Sequence, residues 1–390
     1  MPQEKRETPL AVMAKPVGSR CNMRCAYCYY LDKGKYSENR KQTRMSFDLL
    51  ERLIRQTIAA SPGPTVSFTW HGGEPTLAGL DFYRKALELE RKHLPKGWEA
   101  WNNLQTNGLL LNEGWCRFLK ENRFDVGLSI DGPAAVHDKN RRQLGGAGTF
   151  ERVSAAVRRL REAGIEPDLL CTVNAVSQEQ PLEVYRALRE MQCGWVQFIP
   201  VVIRDGAGGV APGSVSPEGY GRFLIAVFDE WVRCDLGKLD VQLFAEMARV
   251  MAGGEASLCW MKPTCGHVLI VEEDGAVYSC DHFVDPEHRL GTLFDGSLAR
   301  LAEGESQRAF GLGKRDGLTD ECKACPYLRF CNGGCPKDRF GFSAEGQPGQ
   351  YWLCRGLKAF FSHAEPILKR VMALSAEGKS SPEIMAALRE

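Results

Sequence analysis

The stretch CNMRCAYCYY, residues 21–30, decides how the rest of the chain is read. It sets Cys21, Cys25 and Cys28 in a CxxxCxxC spacing just after an apolar run, Leu10 to Lys15, that has the character of a first β-strand. In a chain with fifteen cysteines this spacing arises by chance only roughly 2% of the time, so the three thiols are read as a ligand set. Structural zinc closes a tetrahedron with four ligands, and no fourth stands nearby. Three thiolates on a four-iron cube leave one iron open, able to chelate a small molecule through an amine and a carboxylate.

Outward from this motif, short β-branched or apolar runs alternate with helix-like stretches, as in a parallel α/β fold. Six strands are expected: Leu10 to Lys15, Thr65 to Trp70, Glu99 to Gln105, Phe124 to Ile130, Pro167 to Val173 and Trp195 to Val201. Ser46 and Thr149 stand where helices begin, the second carrying Val153, Val157 and Leu160 on one face. Strands two, three and four end in the turns HisGlyGlyGluPro (71–75), GlnThrAsnGly (105–108) and SerIleAspGly (129–132). The carboxyl edge of a parallel sheet is where such folds hold their chemistry. A further helix is expected near Glu218 to Arg233, and helices again after Leu357.

CxxxCxYC after a first strand and GlyGlyGluPro after a second resemble the radical S-adenosylmethionine superfamily. That resemblance implies a partial (β/α)6 TIM-like barrel, one [4Fe-4S] cluster on Cys21, Cys25 and Cys28, and S-adenosylmethionine as cofactor. By the same resemblance Tyr27 lies against the adenine and Gly72, Gly73 and Glu74 bind the methionine amino group. Ser129 reaches the cofactor's polar groups, with His71, Gln105, Thr106, Asn107 and Arg141 as further candidates.

Eight more cysteines follow: Cys259, Cys265, Cys280, Cys322, Cys325, Cys331, Cys335 and Cys354. Eight is the number that ligates two complete four-iron clusters, although CxxC is also a zinc spacing. Their pattern, with Gly275 ahead of Cys280, is similar to the SPASM extension of peptide-modifying radical enzymes. The resemblance implies one auxiliary cluster on Cys259, Cys265, Cys280 and Cys335 and another on Cys322, Cys325, Cys331 and Cys354, making three [4Fe-4S] clusters in all. The expected division is a barrel over 1–237, a joining segment 238–258, the SPASM region 259–356 and closing helices 357–390.

CNMRCAYCYYL, WHGGEPTLAGL, LQTNG, LSIDGP, the GlyThrPhe at 148–150 and VYSCDHFV together resemble anaerobic sulfatase-maturating enzymes. The implied reaction oxidises a cysteine or serine of an unfolded or nascent sulfatase, in a CxPxR or SxPxR motif, to Cα-formylglycine. A 5′-deoxyadenosyl radical takes hydrogen from Cβ, Asp281 removes the thiol or hydroxyl proton, and an electron leaves through the auxiliary clusters. The first electron comes from a donor such as ferredoxin or flavodoxin. Two other readings stay open: a thioether or carbon–carbon crosslinker of ribosomal peptides, and a non-catalytic electron carrier or zinc-binding adaptor. Crosslinkers often carry an N-terminal peptide-binding domain, which is not expected here.

Composition narrows the partners. Lys and Arg total 50 against 49 for Asp and Glu, and no basic stripe stands out, so nucleic acid is not expected. The N-terminal residues lack the apolar core of a leader, and no run is long enough to span a bilayer, so a cytoplasmic protein without a membrane partner is expected. Cys116, Cys171, Cys193 and Cys234 fall outside any ligand spacing and read as small core residues.

Overall fold

The computed structural model describes residues 10–36 and 43–389. The leader reading rests on residues 1–20, of which 1–9 lie outside them. The chain forms two compact units: residues 1–129, 142–165 and 266–313 make the first, and residues 130–141, 166–265 and 314–390 the second.

In the first unit β1 (Ala11–Ala14), β2 (Thr65–Trp70), β3 (Glu99–Thr106) and β4 (Asp125–Ser129) pair in parallel, in chain order. Their alternate residues Val12, Val66, Phe68, Leu104, Val126 and Leu128 are buried, as a sheet covered by helices requires. The helices are α1 (Phe47–Ala60), α2 (Leu80–His93), α3 (Glu113–Glu121) and, after α4 (Ala134–Asn140) of the second unit, α5 (Phe150–Glu162). Ser46 caps α1 by accepting from the Leu49 amide, 3.2 Å away. Thr149 precedes α5 without a side-chain cap bond. Val153, Val157 and Leu160 are nonetheless buried on one face of α5, because the apolar stripe rather than the cap docks this helix.

The second unit holds β5 (Asp168–Val173), β6 (Trp195–Pro200) and the short β7 (Asp240–Val241), also parallel, with α6 (Pro181–Glu190), α7 (Pro217–Cys234) and α8 (Gln242–Met251). The helix Cys354–Ala376 packs on α7 so closely that a Cβ on Gly356 would stand 1.8 Å from the Pro217 carbonyl oxygen. That approach fixes the first turn of the helix, and with it Cys354.

In the second unit β7 was not foreseen, and in the first unit three strands were not. β8 (Val268–Val271) pairs in parallel with the free side of β1, and β9 (Ala276–Tyr278) and β10 (Arg289–Thr292) follow it antiparallel. Part of the cysteine-rich region thus extends the sheet that carries β1. No described helix is long and apolar enough to cross a membrane.

Candidate active site

The loop carrying Cys21, Cys25 and Cys28 leaves the carboxyl end of β1 and is clamped along its length. Gly73 N–H donates to the Gly18 carbonyl and Glu74 N–H to the Arg20 carbonyl, both at 2.8 Å. Arg24 N–H donates to the Arg142 carbonyl at 2.8 Å, and the Met23 side chain is 1% exposed. The Met23 amide lies 3.3 Å and the Asn107 Nδ2 3.6 Å from the Cys21 sulfur, donors placed as for a thiolate or cluster ligand.

Burial pushes the Cys21 thiol up to about 12, helped by Glu74 and by the other two cysteines. Such a thiol ionises when a metal takes the proton's place. Among the described residues no group of three or more Cys, His, Asp or Glu side chains closes on a single metal ion. The donor set, three half-exposed thiols sharing one loop, fits a four-iron cluster with one iron open.

Glu74 does not point free charge at a ligand. Its carboxylate is fully buried and accepts from Thr76 N (3.0 Å), Thr76 Oγ1 (2.5 Å), Thr106 Oγ1 (2.7 Å) and Asn107 N (2.8 Å). Burial raises its pKa while these donors oppose the shift. Glu74 therefore ties the turn after β2 to the turn after β3. Gln105 Nε2 donates to Ser129 Oγ at 3.2 Å, within the same unit. In the second unit Arg141 Nε is paired with buried Asp131 at 3.0 Å, and Asp131 also accepts from Thr172 N at 2.8 Å. Tyr27 is half-buried in the cysteine loop.

Asp281 follows Cys280 in the turn after β9, and the β1–β8 pairing brings this turn to the end of β1. There it meets Lys15, whose fully buried ammonium lies 2.5 Å from Asp281 Oδ1. Tyr29 donates its hydroxyl to Asp281 Oδ2. Burial works against ionisation of Asp281, yet Lys15, His71 and His282 outweigh it and hold the carboxyl well below the usual carboxylate range. Lys15 also sits 4.3 Å over the Tyr30 ring, and Tyr30 donates to Glu272, whose carboxyl burial raises to about 8.

His71 Nδ1 accepts from Gly72 N–H at 2.7 Å and faces Lys15 Nζ at 3.4 Å, so the ring carries its proton on Nε2. Burial, then Lys15, pulls its pKa down to about 4. Sequence reasoning missed Lys15 and Glu272. The available signal was a lysine closing an otherwise apolar strand at the functional edge of the sheet.

In the second unit Cys322, Cys325, Cys331 and Cys354 line one small cavity together with Gln350 and Lys358. Gln350 Nε2 donates to the Cys354 sulfur at 3.1 Å. Cys335 does not line that cavity; its thiol, pushed up to about 12 chiefly by burial, is also raised by the charge of Cys259. Cys265 likewise senses Cys259. Cys280 belongs to the first unit.

The chain matches the Radical SAM superfamily over residues 16–190 and an iron-sulfur cluster-binding domain, SPASM, over 259–326. It is 41% identical to a serine-type anaerobic sulfatase-maturating enzyme of Bacteroides thetaiotaomicron, over 98% of this chain and 96% of that one. It is 34% identical to a cysteine-type anaerobic sulfatase-maturating enzyme of Clostridium perfringens, over 93% and 98%. The solved structure of native anSMEcpe with bound AdoMet and Cp18Cys peptide superposes with a TM-score of 0.85 at 34% identity, covering 93% of this chain and 98% of that one. With the cysteine loop after β1 and the GlyGlyGluPro turn clamped to it, and on these matches, this chain belongs to the anaerobic sulfatase-maturating enzymes, radical S-adenosylmethionine oxidoreductases with a SPASM domain.

Proposed function

We propose that the chain oxidises the Cβ of a serine or cysteine in an unfolded sulfatase polypeptide to Cα-formylglycine, with Asp281 as the proton acceptor. The observation that carries this is the Lys15–Asp281 ion pair. It places an ionised carboxylate in the same compact unit as the Cys21, Cys25 and Cys28 loop.

Cys21, Cys25 and Cys28 would hold the first [4Fe-4S] cluster, and the eight later cysteines two more. When bound, these clusters and S-adenosylmethionine supply hydrogen-atom abstraction at Cβ and a sink for the second electron. The backbone of Gly72 and Gly73, with Tyr27, Gln105, Asn107 and Ser129 of the same unit, supports the cofactor. Asp281, which Lys15 keeps ionised, takes the hydroxyl or thiol proton. Tyr29, 45% exposed, borders Asp281 on the side open to a peptide and keeps the carboxylate oriented through its hydroxyl. The neutral His71 offers Nε2–H as a donor. A cytoplasmic setting and a low-potential donor such as ferredoxin or flavodoxin complete the reading.

The test is anaerobic incubation of the reconstituted protein with reductant, S-adenosylmethionine and peptides containing SxPxR or CxPxR. Aldehyde product is followed by mass spectrometry and 5′-deoxyadenosine is counted in the same samples. Aldehyde is expected from the parent, and Asp281→Asn should keep 5′-deoxyadenosine formation while losing most aldehyde. Undiminished aldehyde in that variant removes the assigned role. Cofactor cleavage with no aldehyde from either peptide would favour a crosslinking reaction instead.

A further inference from the structure

Among the described residues, two positive charges stand in the cysteine-dense part of the second unit without a carboxylate ion-pair partner. Lys314 is 1% exposed, and its Nζ donates to the carbonyls of Cys259 (3.1 Å), Trp260 (2.8 Å) and Lys262 (2.5 Å). The half-buried Arg339 directs its guanidinium to backbone as well. Nε donates to Gly333 O (2.7 Å), Nη1 to Lys314 O (2.5 Å), and Nη2 to Asn332 O (2.8 Å) and more weakly to Gly334 O (3.5 Å).

Carbonyl dipoles orient these cations but leave their charge in place. Burying a cation without a counter-charge is strongly unfavourable, so the compensating charge must come from another source. The neighbouring charges are thiols. Lys314 senses Cys265, Cys259 and Cys335, whereas Arg339 senses Cys322 and Cys331 from one ligand set and Cys265 and Cys335 from the other. Neutral thiols do not balance a cation. Four thiolates on a four-iron core do, because they outweigh the charge of the core, and the excess grows on reduction.

We infer that Lys314 and Arg339 are the built-in counter-ions of the two auxiliary clusters, Lys314 serving the Cys259, Cys265 and Cys335 set and Arg339 standing between both sets. This rests on reading those cysteines as cluster ligands. Their role follows from the sign of the charge: a fixed cation favours the more negative, reduced cluster and so raises its potential. It keeps both clusters able to accept an electron from the substrate. One charge roughly 12 Å away in an effective dielectric near 20 changes the reduced-to-oxidised ratio by on the order of tenfold.

The experiment uses the full-length chain with Cys21, Cys25 and Cys28 all replaced by alanine, so that iron and paramagnetic signals report only the auxiliary sites. Iron and sulfide are counted, and the clusters are titrated against potential by electron paramagnetic resonance. Arg339→Gln should lower the reduced fraction of both clusters at a fixed potential on the order of tenfold. Lys314→Met should lower one cluster more than the other, and Arg339→Lys should restore the parent potentials. If Arg339→Gln fails to load iron while Arg339→Lys loads it, the charge requirement also holds. Full iron with unmoved potentials in Arg339→Gln and Lys314→Met overturns the proposal. So does failure of both Arg339 variants to load, since hydrogen-bond geometry rather than charge would then be at stake. Absence of iron from the triple-alanine parent instead overturns the cluster reading beneath it.

Discussion

Replacing Gly73 by alanine separates two uses of the GlyGlyGluPro turn: contact with a ligand, and support of the cysteine loop. A Cβ at this position would stand 2.1 Å from the Arg20 carbonyl oxygen, 2.5 Å from the Arg20 carbonyl carbon and 2.6 Å from that of Ser19. Carbon and oxygen come no closer than ~3.3 Å even in favourable contacts, so one loop must retreat by about 1 Å. The obstacle is backbone and cannot rotate away. The retreat stretches the two hydrogen bonds that join the loops, Gly73 N to Gly18 O and Glu74 N to Arg20 O, each 2.8 Å. Losing two such bonds, with their groups left partly unsatisfied, costs roughly 2–5 kcal/mol. That is enough to open the loop carrying Cys21, Cys25 and Cys28 while the later cysteines are untouched. Gly73→Ala reconstituted anaerobically should lack one cluster's worth of iron, and 5′-deoxyadenosine formation should fall by about two orders of magnitude. The reasoning is refuted if the variant holds full iron with an unaltered cluster spectrum and only binds S-adenosylmethionine more weakly. Gly73 would then serve ligand approach alone.

Lys15→Met leaves the Asp281 carboxylate without the cation 2.5 Å away, and breaking such a buried pair costs about 3–5 kcal/mol. Thermal unfolding should shift down, and aldehyde yield should fall further than 5′-deoxyadenosine; an unchanged ratio of the two products would contradict the pairing's role. The fully buried His137, like His71, has its pKa pulled by burial from about 6.5 down to about 4. Between those values the unfolded chain binds the proton more readily, so stability present above pH 6.5 is lost as the pH falls toward 4. The loss is roughly 3 kcal/mol for His137. Urea unfolding at pH 7 and pH 4.5 measures it, and equal or greater stability at the lower pH counts against it.

Most of the barrel strands could be read in the sequence because buried parallel strands are apolar runs closed by turn residues. Thr65–Trp70 appears with its expected bounds, and the strand expected to end at Gln105 runs one residue further. β8, β9 and β10 could not be read: they are three or four residues long, and β8 owes its place to pairing with a strand more than 250 positions earlier. No local period records such a partner. The cysteine groupings were visible because spacing is local. The work of Glu74 was not, since its carboxylate answers to Thr106 and Asn107, some thirty residues on.

Asp281 shows what the long-range pairing accomplishes. Its position after Cys280 suggested a carboxylate near an electron acceptor, but a lone buried carboxylate would be driven toward its neutral form. The parallel β1–β8 register sets Ala14 beside Val271, and Lys15 N–H continues it by donating to the Val271 carbonyl at 2.8 Å. That register delivers the lysine to the turn after β9, where its ammonium keeps Asp281 ionised. The same strand end launches the loop of Cys21, Cys25 and Cys28. Asp281 and the loop of Cys21, Cys25 and Cys28 are therefore mounted on one sheet edge, and their separation is set by strand register, not by a flexible link. A change that slips β8 against β1 would disable Asp281 without touching any residue that contacts substrate.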